Sequence, residues 1–202
     1  MNEQLYFRSL KRRDGRFETT TYDPATGRYD TCQTGDQILE SRVLVPNTVH
    51  RDWQKRLCVS ALCEGYDGTY RSEGIIFRTE ASPDYVTPID LLALSDSKEF
   101  TSSDYNARLI SGSERFVYPT VEEMLKIHPT SGEAIAAVNR VRADHGLAPL
   151  DPATMNYNEC GFYRPITITP IAVVGKDVQL QEIASAYGLM HLETVEEVGV
   201  RI

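Results

Sequence analysis

The sequence has few cysteines, and they follow no metal-binding pattern. Four occur in 202 residues, and none belongs to a CxxC motif or to a Cys/His cluster with the spacing of a zinc site. The four histidines are also far apart along the chain. We therefore expect reduced thiols and no bound metal.

Long hydrophobic runs and the common catalytic motifs are missing as well. No apolar run approaches the roughly 18 residues that cross a bilayer, and the opening "MNEQLYFRSLKRRDG" has no apolar segment of a secretory signal. There is no glycine-rich phosphate loop, no GxSxG turn and no HExxH pair. We expect a cytoplasmic protein without a membrane partner, whose function must be read from less common features.

Acidic residues outnumber basic ones, but unevenly along the chain. The net charge is −8, with 10 Lys and Arg against 8 Asp and Glu in residues 1–60, 5 against 10 in residues 61–120, and 6 against 11 in residues 121–202. This balance disfavours non-specific binding to duplex nucleic acid by the whole molecule, although the basic N-terminal run could meet a phosphate group. An acidic surface also suits a protein that occupies the nucleic-acid groove of another protein.

Short apolar runs between turn residues predict a mostly β body over residues 1–128. "RFETTTYDPATGRYDTC" predicts a hairpin that turns at "DPATG", and "GDQILES" predicts a short helix capped by Asp36. The remaining strands of this part are predicted at "RVLVP", "LCVSAL", "GIIFR" and "RFVY".

Residues 129–202 predict a helix-strand-helix-strand extension, separate from the first part or packed onto it as one domain. The capping pair Thr130 with Glu133 indicates the first helix of this extension near 131–145, and the pair Thr120 with Glu123 indicates a helix near 121–127 at the end of the first part. A loop over 151–165, a strand at "ITITPIAVV", a helix capped by Asp177 and a closing strand "VEEVGVRI" complete the prediction. The fold class is α+β.

Three residues on predicted strands occur in the order Arg, Ser, Glu. Arg8 follows Tyr6 and Phe7, Ser60 lies within "LCVSALCEG", and Glu114 opens "ERFVYP". Over about 5–127, this order resembles the ADP-ribosyltransferase superfamily. The stretch "NARLISGSERFVYPTVEEMLKI" is similar to the glutamate strand and following helix of its nucleic-acid-modifying branch. The resemblance implies a split, mostly antiparallel sheet with peripheral helices.

The same resemblance implies NAD as the substrate and gives each residue a role. Glu114 would stabilise the oxocarbenium-like transition state that forms when the nicotinamide bond breaks. Ser60 would orient that carboxylate or the ribose, and Arg8 would bind the pyrophosphate. Tyr66 or Tyr70 could stack on nicotinamide. The implied activity is mono-ADP-ribosylation of a nucleic acid or a protein.

The sequence departs from the family in two motifs. Many members have Ser-Thr-Ser on the central strand, where this chain has Val-Ser-Ala around Ser60, and protein-modifying members often have Glu or Gln where this chain has Gly112. These departures leave nucleic-acid modification, another acceptor or an inactive pocket. A shift of one residue would put Arg115 in place of Glu114.

Each of these residues also has a simpler structural interpretation. Glu114 could be an edge charge that keeps a strand soluble, Ser60 a small buried residue, and Arg8 an exposed strand residue. The segment with Tyr66 and Tyr70, "EGYDGTYRSEG", could be a plain hairpin turn.

A function of another class is also compatible with the sequence. An acidic protein without enzyme motifs fits an inhibitor or adaptor that binds another protein, as phage- or plasmid-borne counter-defence proteins such as anti-CRISPR inhibitors do. The natural contact loop would be "MNYNECGFYRP", because Tyr and Phe supply large contact area at low entropy cost. Its aromatic residues could instead anchor the loop in the core.

Overall fold

The structure is a computed structural model that describes residues 4–23, 28–46, 56–66, 72–97, 108–153 and 155–198, with backbone only for residues 20–23 and 28–32. Within these ranges no helix is long and apolar enough to cross a membrane.

A seven-stranded sheet forms the centre of the molecule. Its strands are β1 (Tyr6–Ser9), β6 (Leu57–Ala61), β7 (Gly74–Arg78), β8 (Tyr85–Thr87), β9 (Glu159–Phe162), β11 (Thr169–Val174) and β12 (Met190–Leu192). They are ordered β12-β11-β7-β1-β6-β9-β8, and every neighbouring pair is antiparallel except β11 and β12. Strands from both ends of the chain therefore share one sheet.

Two smaller sheets lie beside it. One comprises β2 (Lys11–Arg13), β3 (Arg16–Asp23) and β4 (Arg28–Thr34), and the other pairs β5 (Val43–Leu44) with β10 (Ile166–Thr167). Pairing of Asp23 with Arg28 confirms the predicted β3–β4 hairpin, although the turn at 24–27 lies outside the described residues.

The helices are α1 (Gly35–Ser41), α2 (Val121–Ile127), α3 (Ser131–Asp144) and α4 (Val178–Ala186). Thr120, Thr130 and Asp177 cap α2, α3 and α4 as predicted, each accepting a backbone N–H in the first turn. The predicted Asp36 cap is wrong, because Thr34 caps α1 and forms a capping box with Gln37. The structure confirms the predicted α+β class with its mostly antiparallel sheet.

The core divides into a large cluster on one face of the sheet and two smaller ones. Tyr6, Val59 and Ile75 belong to the large cluster, which α1, α2 and α4 cover. Phe7 and Ile76 belong to a second cluster with residues of β11 and β12. The third cluster packs α3, through residues such as Ile135 and Val138, against the segments around β8.

Three strand and loop predictions are wrong. "RFVY" is not a strand, because residues Ser113–Phe116 form a 3-10 helix whose Phe116 is buried beside α3. The loop predicted over 151–165 contains β9, an interior strand of the large sheet. Within the described part of the predicted closing strand, Val195–Glu197 form a 3-10 helix, and the sheet ends instead at β12.

Candidate functional site

Arg8 and Ser60 lie on hydrogen-bonded neighbouring strands, but on opposite faces of the sheet. Phe7 is directly opposite Ser60, so these two residues share a face. Side chains alternate along a strand, and Arg8 therefore shares the other face with Tyr6. Arg8 Nη1 donates to the carbonyl oxygen of Cys58 at 2.5 Å. The sheet does not bring Arg8 and Ser60 together.

Glu114 lies on the 3-10 helix Ser113–Phe116. Its side chain is exposed, and its Oε2 accepts the backbone N–H of Gly112 at 2.9 Å. The next residue, Arg115, places its guanidinium 5.1 Å from the Phe116 ring centroid. Glu114 thus closes a local turn, and Arg115 lies along an aromatic ring of the third cluster.

Of the two tyrosines predicted to stack on nicotinamide, the structure describes one. Tyr66 is fully buried, and its hydroxyl donates to the carbonyl oxygen of His128 at 2.8 Å. Burial raises the pKa of Tyr66 well above its ordinary value. Tyr70 lies outside the described residues. Tyr66 therefore anchors the chain to the end of α2.

The most strongly perturbed group of side chains lies elsewhere, on β8 and β9. Tyr85 is directly opposite Gly161, and a Cβ at Gly161 would overlap the Tyr85 ring. The missing side chain lets the ring lie across β9, where its hydroxyl donates to Glu159 Oε1. The glycine thus positions a tyrosine for a buried carboxylate.

Glu159 is the centre of this group. Its Oε1 accepts Arg56 Nε at 2.8 Å, and its Oε2 accepts Arg56 Nη2 at 3.4 Å and the backbone N–H of Leu91 at 3.1 Å. Burial opposes ionisation of Glu159, but the charge and hydrogen bonds of Arg56, with the bonds from Tyr85 and Leu91, hold its pKa below the ordinary value. Both carboxylate oxygens are therefore occupied as acceptors.

A second carboxyl, Asp90, stands beside the first and is more readily protonated. Its Oδ1 caps the 3-10 helix Leu91–Leu94 by accepting the N–H of Leu92 at 2.8 Å, and its Oδ2 accepts the Tyr157 hydroxyl at 2.9 Å. Burial, and then the negative charge of Glu159, raise the pKa of Asp90 to about 6. The two carboxyls thus differ in proton affinity because their surroundings differ.

We define the buried acid cluster as Arg56, Tyr85, Asp90, Tyr157 and Glu159, of which Asp90 is half-buried and the other four are buried. In chemical terms it can hold one proton on Asp90 near pH 6 while Glu159 stays ionised. Cys58, on the neighbouring strand, has its pKa raised by burial to about 12, so its thiol is not an activated nucleophile. No group of three or more His, Cys, Asp or Glu in the described ranges is arranged to hold a metal ion.

The chain leaves β9 through a surface corner formed by Tyr163 and Arg164. Tyr163 is 50% exposed, and its ring lies 5.8 Å from that of Tyr85. Asp84 Oδ2 accepts the Tyr163 backbone N–H at 2.8 Å, while Asp84 Oδ1 lies 3.7 Å from Arg164 Nη1. An aromatic and an arginine are thereby presented on a fixed backbone beside the buried acid cluster.

Sequence reasoning missed Arg56, Asp90 and Glu159. The signal for Glu159 was its place in "NECGF", where a charge next to small and apolar residues needs a partner if the run is a buried strand. That partner is 103 positions away along the chain. Only the paired strands β6 and β9 identify it.

The chain was compared with protein-family models, with curated proteins and with solved structures, and none of them matches it.

Proposed function

We propose that the chain acts by binding another protein through the corner formed by Tyr163 and Arg164, as an inhibitor or adaptor. The observation that carries this proposal is the half-exposed Tyr163 ring on a backbone held by Asp84. Tyr and Arg dominate binding hot spots, and a fixed backbone reduces the ordering cost of association. By analogy with its acidic composition, we assign such an inhibitor to the phage- or plasmid-borne counter-defence class.

The proposed contact surface is smaller than the predicted contact loop and consists of this corner. Met155, Tyr157 and Phe162 are buried and belong to the core clusters. Tyr163 is the aromatic residue of the segment that remains accessible, and Arg164 follows it with 63% of its side chain exposed. The proposed contact is therefore two residues rather than the whole loop.

The test is a pull-down from the native host with matched variants. We expect one stoichiometric partner, which Tyr163→Ala releases and Arg164→Ala weakens, since loss of a hot-spot residue costs about 2 kcal/mol, or roughly thirtyfold in Kd. Tyr187→Ala and Arg140→Ala are the controls, because both residues are also exposed but lie elsewhere, Tyr187 directly after α4 and Arg140 on α3. A partner held equally by all four variants would contradict the proposed surface.

Mono-ADP-ribosyl transfer from NAD to a nucleic acid or a protein is a second proposal. Its support is the sequence order of Arg8, Ser60 and Glu114 and the pairing of β1 with β6, although the Arg8 and Ser60 side chains lie on opposite faces of the sheet. Nicotinamide release should be measured for the wild type, Arg8→Ala and Glu114→Gln. Glu114 is exposed, so Glu114→Gln should fold normally. Activity lost in both variants would support the enzyme, and absence of NAD binding by calorimetry would refute it.

A further inference from the structure

The β2–β3 hairpin carries two arginines directly opposite one another. Its turn is Asp14 and Gly15, both with positive φ, as a two-residue hairpin turn requires. The register that follows pairs Arg13 with Arg16 and Lys11 with Glu18. Because side chains at alternate positions share a face, Lys11, Arg13, Arg16 and Glu18 lie on one face of the ribbon. We call it the basic face.

Like charges that face each other across two strands destabilise the pair. Arg16 is exposed and Arg13 partly buried. Within the part of the chain that the structure describes, neither guanidinium forms a hydrogen bond or an ion pair. Two adjacent arginines that have no partner among the described residues can bind an anion from outside.

The opposite face of the ribbon provides the contrast. Arg12 Nη1 lies 2.6 Å from Asp177 Oδ2, and its guanidinium lies 5.9 Å from the Phe17 ring centroid. Gln179 Nε2 also donates to the carbonyl oxygen of Gly15, at 3.1 Å. The arginine on this face is therefore paired with the body of the protein, and the turn is held in place against α4.

Over residues 11–18 the hairpin itself carries two carboxylates, Glu18 and Asp14. Glu18 is 7% exposed, so it lies below the surface that a ligand would contact, and Asp14 lies in the turn. On the face itself, Arg13 and Arg16 therefore lie near one carboxylate, that of Glu18, which is buried. Positions 11 and 13 are about 7 Å apart, because a strand rises about 3.3 Å per residue. The face can reach only one or two phosphate groups.

We propose that the basic face of the β2–β3 hairpin binds the phosphate backbone of a single-stranded nucleic acid. Arginine suits this ligand because its planar guanidinium donates two parallel hydrogen bonds to a phosphate. Duplex DNA carries one charge per about 1.7 Å of its axis. A protein of net charge −8 repels so dense a charge wherever the duplex extends beyond the basic face. A flexible single strand can contact the narrow ribbon without contacting the rest of the protein surface.

The experiment measures fluorescence anisotropy of a labelled single strand of about 20 nucleotides, in about 50 and about 200 mM NaCl. The wild type should bind at the lower salt, with a salt slope of about −0.7 for each phosphate contacted. The double variant Arg13→Ala/Arg16→Ala should bind about tenfold more weakly and with a smaller slope. Arg140→Ala, which removes an exposed arginine from α3, should bind as the wild type does.

The double variant removes a like-charge pair, so its thermal midpoint should be unchanged or raised. If that variant does not fold, Arg16→Gln replaces it, and it should also bind the single strand more weakly than the wild type does. No binding of the wild type at low salt would overturn the proposal, as would equal binding by wild type and variant. Equal or tighter binding of a duplex or of polyglutamate would overturn the choice of ligand. Tyr163→Ala should leave this binding intact, which separates the outcome from that of the protein-binding proposal.

Discussion

Replacing Glu159 by Gln should destabilise the fold much more than the same replacement of an exposed glutamate. The side chains of Arg56 and Glu159 are 8% and 4% exposed, so solvent screens their interaction little. Glutamine keeps the size of the side chain but removes the charge. Arg56 would then be a buried cation without this counter-ion.

The magnitude follows from that uncompensated charge. Breaking a buried ion pair by removing one partner costs about 3 to 5 kcal/mol. Tyr85 and Leu91 also donate to Glu159, and the single amide oxygen of glutamine cannot accept every donor that the two carboxylate oxygens accept. A loss of about 3 kcal/mol corresponds to a fall in Tm of about 6 to 12 °C for a chain of this length.

Thermal unfolding at pH 7, followed by circular dichroism, measures the effect. Glu122→Gln is the matched control, because Glu122 pairs with Lys126 on the surface of α2 with 79% of its side chain exposed. That control should unfold with the wild type, as exposed pairs contribute little. Adding Arg56→Met to Glu159→Gln should recover about 1 kcal/mol or more, because it removes the orphaned charge. Equal Tm values for Glu159→Gln and Glu122→Gln would refute this reasoning.

Two further predictions concern the same cluster. Gly161→Ala should cost about 1 to 3 kcal/mol, since the new Cβ displaces the Tyr85 ring, whereas Gly132→Ala on α3 meets no atom within 4 Å and should be neutral or stabilising in urea unfolding. Asp90→Asn should stabilise the fold by about 1 to 2 kcal/mol at pH 7.5. The folded-state pKa of Asp90, about 6, exceeds its unfolded value, so its favourable contribution is complete below about pH 4 and is lost as pH rises through 6. The advantage of Asn should therefore disappear near pH 4, and urea midpoints that differ equally at both pH values would contradict this assignment.

The helices could be predicted from the sequence because their signals are local. Thr120, Thr130 and Asp177 each accept a backbone N–H within three residues, so the capping pattern and the structure coincide. The strand predicted at "RFVY" is wrong because its signal is also only local. A short apolar run does not distinguish a strand from a helical turn, and Phe116 enters the core from a 3-10 helix.

The acid cluster could not be predicted because its members meet only across the sheet. Glu159 lies in a segment whose polar residues suggest a loop. Its ion pair with Arg56 allows it to occupy an interior strand. Glycine at 161 carried a signal of close approach, but nothing in the sequence pairs it with Tyr85. The partners of Glu159 and Gly161 can be identified only when the strand order and register of the sheet are known.

A charge count, too, does not show which residues meet in the structure, and the arginines of residues 1–60 illustrate this. The count gives this segment a net charge of +2, yet Arg56 is paired with the buried Glu159, and Arg12 is paired with Asp177, the N-cap of α4. Arg13 and Arg16 are left facing each other on the ribbon. Within the described part of this segment, two of its positive charges therefore lie side by side on one face of a short hairpin. Binding tests should address that face rather than the segment as a whole.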